Sequence, residues 1–243
     1  MKKYSLYIKY LTLISAVVLL FGFASHRNAS KNVKEFDVVF ENGENLFISY
    51  DMVNKLLIQK FNLDENQSKE NINLNSLENF VQSNNMIENA ELFLTIRGDL
   101  GVIIRQRTPV LRVANSTESY YYDSQGQKMP LSSNYSARVP ITSSELNFEN
   151  CNDIICLSNK IISDDFLQKQ IIGIDQVEGE GANQFELKTR LGDQNIVFGD
   201  LKDADEKIKK LKVFYQKALA DNTLENYSSI NLKYSNQVVC AKK

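Results

Sequence analysis

Apolar and polar positions along this chain follow two different periods, and one long apolar run precedes both. From Tyr10 to Ser25 sixteen consecutive residues carry no charge. Leu11 to Ala24 is made of Leu, Ile, Val, Phe and small residues. As a helix the run is about 24 Å long, close to the thickness of a bilayer's hydrocarbon core. Leu6, Tyr7 and Ile8 extend its apolar length, and Lys9 can snorkel. A basic start with small residues at Gly22, Ala24 and Ser25 also fits a cleaved signal peptide. Gly22-Phe23-Ala24 is not a clean Ala-x-Ala site, which favours an uncleaved anchor. The expectation is a cytoplasmic tail over 1–9 and a transmembrane helix over 10–25. Lys2 and Lys3 then stay inside and the rest of the chain is exported.

Beyond the run, Val33 to Phe40 alternates as a strand. Asn42-Gly43 turns the chain. Ser49 is placed to cap a helix whose apolar positions Met52, Val53, Leu56 and Leu57 recur at helical spacing through Phe61. A polar stretch, Asn62 to Asn73, precedes a second short helix with Leu74, Leu77, Phe80 and Val81 on one face. Ala90 to Arg97 alternates as a strand with Leu92, Leu94 and Ile96 on one side. Gly98-Asp99 turns, and Val102 to Arg107 returns. The order β-α-α-β-β predicts a small α+β layer with its helices on one sheet face.

After Thr108-Pro109 the pattern shortens. Pro109 cannot donate to a ladder and marks a strand boundary. Val110, Leu111 and Val113 begin a run of short strands. Tyr120 to Tyr122 and Met129 to Leu131 flank the hairpin turn Asp123-Ser124-Gln125-Gly126, and Arg138 to Ile141 reads as another strand. Asp164 and Asp165 open a helix carrying Phe166, Leu167, Ile171 and Ile172. Strand-like runs follow at 172–177, 184–189 and 195–198, punctuated by Gly192 and Gly199. Asp203 to Ala220 is the clearest helix. Ile208, Leu211, Phe214, Tyr215, Ala218 and Leu219 form its stripe, Asp203 and Glu206 make a capping signature, and Asn222 ends it. Ser229 to Tyr234 and Gln237 to Ala241 form a terminal hairpin, so its last strand is expected at a sheet edge.

Composition narrows the chemistry. The chain has 243 residues with 28 Lys+Arg, 30 Asp+Glu and 43% hydrophobic residues, enough for real cores. Four basic residues and no acid precede residue 28. The exported part thus carries 24 basic residues against 30 acids, a net of −6, which is normal for solubility and says little about partners. The whole chain's net charge of −2 argues against nucleic acid as the main partner. His26, the single histidine, sits beside the apolar run, so no Ser-His-Asp or Cys-His set has a base. Gly179-Glu180-Gly181 lacks the third glycine of a dinucleotide loop, and no Ser-x-x-Lys occurs. No catalytic residue, metal or cofactor is expected. Cys151 and Cys156 enclose Asn-Asp-Ile-Ile and read equally as a small-loop disulfide or as two ordinary buried thiols. Tyr120 to Tyr122 reads as a half-buried strand. Arg97, Arg105, Arg107 and Arg112 read as solvated salt-bridge partners.

Several stretches resemble the FtsQ/DivIB cell-division family in order and spacing, and the resemblance covers nearly the whole chain. Arg105-Gln106-Arg107-Thr108-Pro109-Val110 resembles its crossing between domains, Tyr122 to Gly126 its D-x-x-G hairpin, and Arg138-Val139-Pro140-Ile141 its proline strand. Val197-Phe198-Gly199, then Lys207, Lys210 and Leu211, resembles its approach to the last helix. Ile230 to Tyr234 resembles its i-D-L-R-Y segment. The resemblance implies a single transmembrane helix, a POTRA unit over 33–108 and a mainly antiparallel β domain with flanking helices over 109–243. It implies a non-enzymatic divisome scaffold in the inner membrane at the septum. Its partners would be FtsB-like and FtsL-like single-pass proteins, with contacts to FtsK and the septal cell-wall synthases.

In the family a partner segment adds a strand near the C-terminus, which maps here onto Tyr234, Ser235, Asn236, Gln237, Val238 and Val239. Val238, Val239 and Cys240 are β-prone and no proline interrupts them. The bland alternative is that this strand merely closes the domain, with Lys242 and Lys243 protecting the edge. The family's partner-pairing arginine falls at 181–183, where this chain has none, leaving Lys188 and Arg190 as the nearby cations. A secreted, carboxylate-based cell-wall enzyme is the competing class, and it requires a cleaved N-terminus. A POTRA-bearing export component would require a long barrel region that the sequence lacks.

Overall fold

The computed structural model describes residues 2–29, 36–41, 46–63, 72–95, 99–144, 151–177, 183–235 and 237–243. The expected Asn42-Gly43 turn, the first residues of the strand begun at Val33, most of the 62–73 loop, and Ile96, Arg97 and Gly98 lie outside them. Helix α1, Lys2–Ala29, contains the apolar run, and the Lys9–His26 stretch is exposed throughout. It is long and apolar enough to cross a membrane. The chain divides into two compact units, Met1–Gln106 and Arg107–Lys243.

In the first unit the elements after α1 are β1 (Phe36–Phe40), α2 (Tyr50–Leu63), α3 (Leu74–Gln82), β2 (Ile87–Leu94) and β3 (Leu100–Gln106). The last strand enters the middle of the sheet, giving the order β1-β3-β2. β1 runs parallel to β3 and β2 antiparallel to it. Alternation buries Val38, Phe40, Ala90, Leu92, Leu100, Val102 and Ile104 against Val53, Leu57, Leu77 and Val81 of the two helices. Both helix starts are capped by a side chain, the first by the expected Ser49 and the second by Asn73. Ser49 Oγ accepts the Met52 N–H at 3.3 Å, and Asn73 Oδ1 accepts the Ser76 N–H at 3.0 Å. β2 begins at Ile87, earlier than the expected Ala90, because Ile87 is itself fully buried. Arg105 pairs with Glu41 at the surface, as expected of a solvated pair.

Among the described residues the second unit has nine strands: β4 (Pro109–Ala114), β5 (Ser119–Asp123), β6 (Lys128–Met129), β7 (Ile141–Thr142), β8 (Ile171–Val177), β9 (Gln184–Thr189), β10 (Asn195–Gly199), β11 (Tyr227–Asn231) and β12 (Val239–Lys242). Their spatial order is β12-β11-β10-β9-β8-β7-β4-β5-β6. Five of the eight neighbouring pairs are antiparallel, so the sheet is mainly antiparallel. Helices α4 (Cys151–Ile162), α5 (Asp165–Gln170) and α6 (Ala204–Ala220) pack on one face, and a 3₁₀ turn, Leu224–Asn226, leads into β11.

Register explains the core. Ile174, Leu187, Ile196, Ile230 and Cys240 are successive partners across β8 to β12, and the first four are at most 2% exposed. The next row, Asp175, Glu186, Val197, Asn231 and Val239, faces the other way. On that second face near β5, Tyr121 is buried: its hydroxyl meets Ser136 Oγ at 3.2 Å and accepts the Ala137 N–H. The tyrosine run is therefore more deeply buried than half, with Tyr120 at 7% and Tyr121 at 1% exposure.

Five local expectations are corrected. The Cys151–Cys156 stretch is the start of a helix, on which a separation of five residues turns the side chains about 140° apart. Both thiols are free. Strand β7 begins at Ile141, not Arg138, since Pro140 brings no N–H and gives only its carbonyl, to Arg112 N at 2.9 Å. Ile171 and Ile172 leave the helix for β8, where Ile171 is buried. Asp203 makes no side-chain cap: it sits at φ +54°, which turns the side chain away. Within the α6 stripe, Leu211, Tyr215 and Ala218 are core, whereas Leu219 is 47% exposed.

Candidate partner interface

The sheet ends at β12, and among the described residues no strand pairs with its outer side. An edge strand presents unpaired N–H and C=O groups that a further strand can satisfy. β12 pairs antiparallel with β11 in the register Asn231↔Val239, Ile230↔Cys240 and Ser229↔Ala241. Alternation sends Cys240 toward the core, where burial pushes its thiol pKa up, and leaves Val239 41% exposed.

From Asn231 to Ser235 the chain beyond β11 is held residue by residue. Asn231 Oδ1 accepts the Lys233 N–H at 3.0 Å, an Asx-type start to the turn. Leu232 is fully buried, and its N–H reaches the Val197 carbonyl at 2.9 Å. Lys233 lies over Gly199, whose φ of +80° places the backbone where a side chain would collide. Tyr234 then turns outward, 51% exposed, with Ser235 also exposed. Lys210 of α6 closes the turn. Its Nζ donates to the carbonyls of Tyr234 at 2.6 Å, Ser235 at 3.2 Å and Leu232 at 3.4 Å.

One turn earlier on α6, Lys207 is buried. It bonds the Asp200 carbonyl and carboxylate, both at 2.8 Å, with Phe198 beneath its ammonium. That hydrogen bond holds the Asp200 carboxyl below the usual carboxylate range. Asp200, Lys202, Asp203, Glu206, Lys207, Lys210, Lys233, Tyr234 and Ser235 line one open cleft beside the turn.

Of the six sequence-derived interface residues, Tyr234, Ser235, Gln237 and Val239 are exposed. Val238 is half-buried against the core, and Asn236 lies outside the described residues. Of the two cations near the position of the family's arginine, Lys188 and Arg190, the first is engaged elsewhere. Lys188 Nζ is 2.5 Å from Asp175 Oδ2, on a strand three places in from the edge, about 14 Å away. The 181–182 stretch where that arginine would fall is outside the described residues. Lys207 and Lys210 stand in the sequence only as motif residues: Lys207 reaches a carbonyl as well as the Asp200 carboxylate, and the partners of Lys210 are carbonyls, which no side-chain pattern reveals. Among the described residues no three His, Cys, Asp or Glu side chains come together to hold a metal.

No curated protein matches the chain. The family model described as FtsQ/DivIB, C-terminal related, matches residues 108–241. That span covers the nine-stranded unit from β4 to β12, more than half of the chain. With it, and with one N-terminal apolar helix of membrane-spanning length, the chain belongs to the FtsQ/DivIB family of cell-division proteins.

Proposed function

We propose that this protein is a non-enzymatic, bitopic scaffold of the divisome. In this reading residues 1–9 lie in the cytoplasm and 10–25 cross the inner membrane. A POTRA-like domain over 33–108 and a β domain over 109–243 lie in the periplasm at the division septum. The scaffold links early division components to septal peptidoglycan synthesis. An FtsB-like chain, in complex with an FtsL-like one, adds a strand to the outer side of β12, contacting Tyr234 to Val239. FtsK and the septal synthases are further partners.

The open edge of β12 carries the reading. Main-chain groups there supply affinity, and the alternating environments of Val239 and Cys240 supply selectivity. Family membership supports a division role, since its members are non-enzymatic division proteins. The β-α-α-β-β order of the first unit supports the POTRA-like assignment. The short length of β12 and its terminal lysines protect the edge from indiscriminate pairing without closing it.

Truncation after Tyr234 tests the proposal. The fully buried row ends at Ile230, so the shortened chain is expected to keep its fold by circular dichroism and its membrane fractionation. It is expected to lose capture of a small single-pass coiled-coil protein from cells. Undiminished capture would overturn the edge-strand reading.

A further inference from the structure

The environment of Lys210 is unusual for a helix-surface lysine. Glu206 precedes it by four residues, the spacing and order in which a glutamate and a lysine ordinarily pair on a helix. That pair is not made. The ammonium instead meets three main-chain oxygens, at 2.6, 3.2 and 3.4 Å, across 22 to 25 residues of sequence. Among the described residues no carboxylate pairs with it.

The three carbonyls converge because the turn is wound around that point. Asn231, Leu232 and Gly199 fix the chain as far as Lys233. Beyond Lys233 the main-chain oxygens of Tyr234 and Ser235 have Lys210 as their partner. Lys207 applies the same device one turn earlier, to the Asp200 carbonyl at the connection between β10 and α6. Both lysines stand in the first half of a helix, where the macrodipole gives a cation no help, so their placement answers to these carbonyls.

We infer that Lys210 is a positioning residue for the partner interface, its ammonium holding the β11–β12 turn in the one arrangement that presents Tyr234 outward and delivers β12 to the sheet edge. The inference rests on the proposed function for what the interface does, but the clamp itself needs no partner. A strand that must be ordered at the moment of binding binds more weakly than one already in place. Lys210 lowers that ordering cost by holding the turn before a partner arrives.

The test compares full-length protein with Lys210→Met and Lys210→Arg by hydrogen exchange, and photo-crosslinks from position 239 in cells. Lys210→Met is expected to speed exchange across residues 232–241 about tenfold, leaving β8 and β9 and the melting transition unchanged. Crosslinking from position 239 is expected to fall about tenfold with it. Lys210→Arg, which keeps a cation, is expected to restore both. If Lys210→Met does not fold, Lys210→Gln, a shorter polar side chain without the charge, is compared with Lys210→Arg instead. Unchanged exchange at 232–241, exchange raised equally throughout the unit, or failure of Arg to restore would overturn the inference. A loosened turn with undiminished crosslinking would also overturn it, leaving the edge-strand proposal standing. Loss of that proposal is read separately, from undiminished capture by the chain truncated after Tyr234.

Discussion

Arg107 Nη1 lies 2.7 Å from Asp123 Oδ2, in a pair whose carboxylate is only 4% exposed. The other oxygen of the same carboxylate accepts the N–H of Gln125 at 2.9 Å and of Gln127 at 2.7 Å. Gly126, at φ +79°, completes the turn. One side chain therefore shapes the β5–β6 hairpin and neutralises the arginine that enters β4. Asp123→Ala leaves a half-buried guanidinium and two N–H groups unpaired, and is expected to cost about 3–5 kcal/mol. Asp123→Asn keeps the acceptor for the turn and is expected to cost less, about 1–3 kcal/mol. Urea unfolding of the two variants checks the order, and equal losses would contradict it.

Acid is expected to destabilise the second unit through identifiable carboxylates. A hydrogen bond from Lys212 holds Asp164 below the usual range. Burial opposes it, and the N–H groups of Leu167 and Phe166 add to it. Asp200 is held low by Lys207 in the same way. At Asp175 burial pushes upward, but Lys188 and Ser143 outweigh it and the net direction is down. A depressed folded-state pKa means stability that is complete above the unfolded value, about 4, and is lost as pH falls through the folded one. Urea midpoints should hold steady down to about pH 5 and decline below it. Asp164→Asn should flatten that decline, and an unaltered acid limb in the variant would exclude Asp164 as a source.

Gly126 of the β5–β6 turn and Gly199 at the end of β10 are expected to differ. Both adopt left-handed backbone, which costs a residue with a side chain about 1–2 kcal/mol. At Gly126 an added Cβ would meet Ile155 Cδ1 at an ordinary 3.5 Å, whereas at Gly199 it would stand 2.9 Å from Lys233 Cγ. Gly199→Ala should therefore destabilise more than Gly126→Ala in thermal unfolding. The reverse order would mean that Lys233 is not fixed over Gly199.

Thiol labelling should find three free cysteines with no reductant added. Cys156 is exposed and should react first. Burial raises the thiol pKa of Cys151 and Cys240, so both should lag. A Cys151–Cys156 crosslink found by mass spectrometry of the unreduced protein would contradict the helix that separates them.

Periodicity carried most of the architecture, because burial in both units follows the 3.6 and 2.0 repeats that side chains impose. Ser49 could be read as a cap since capping is local, whereas Asn73, read only as the end of a polar stretch, makes the same kind of bond in the structure. Helix α4 was obscured by its β-branched isoleucines, which propensity disfavours. Ile154, Leu157 and Ile161 form it because burial against β4 and β8 outweighs that preference. Asp203 shows the converse: the sequence of a cap is present, but the backbone enters α6 from the left-handed region and the bond is not made. At the interface, the pairing of β12 with β11 followed from two adjacent β-prone runs. The part played by Lys210 did not, because it depends on carbonyls brought to the lysine by the fold.

The central claim, that a partner strand adds to β12, is tested most directly by photo-crosslinking from Tyr234 and Val239 in living cells, with the captured chain identified by mass spectrometry. The account predicts a small single-pass coiled-coil protein crosslinked from both positions, and no adduct from Ile172 on the interior strand β8. A folded, abundant bait that captures no such protein from either position would contradict it and return β12 to closing the sheet.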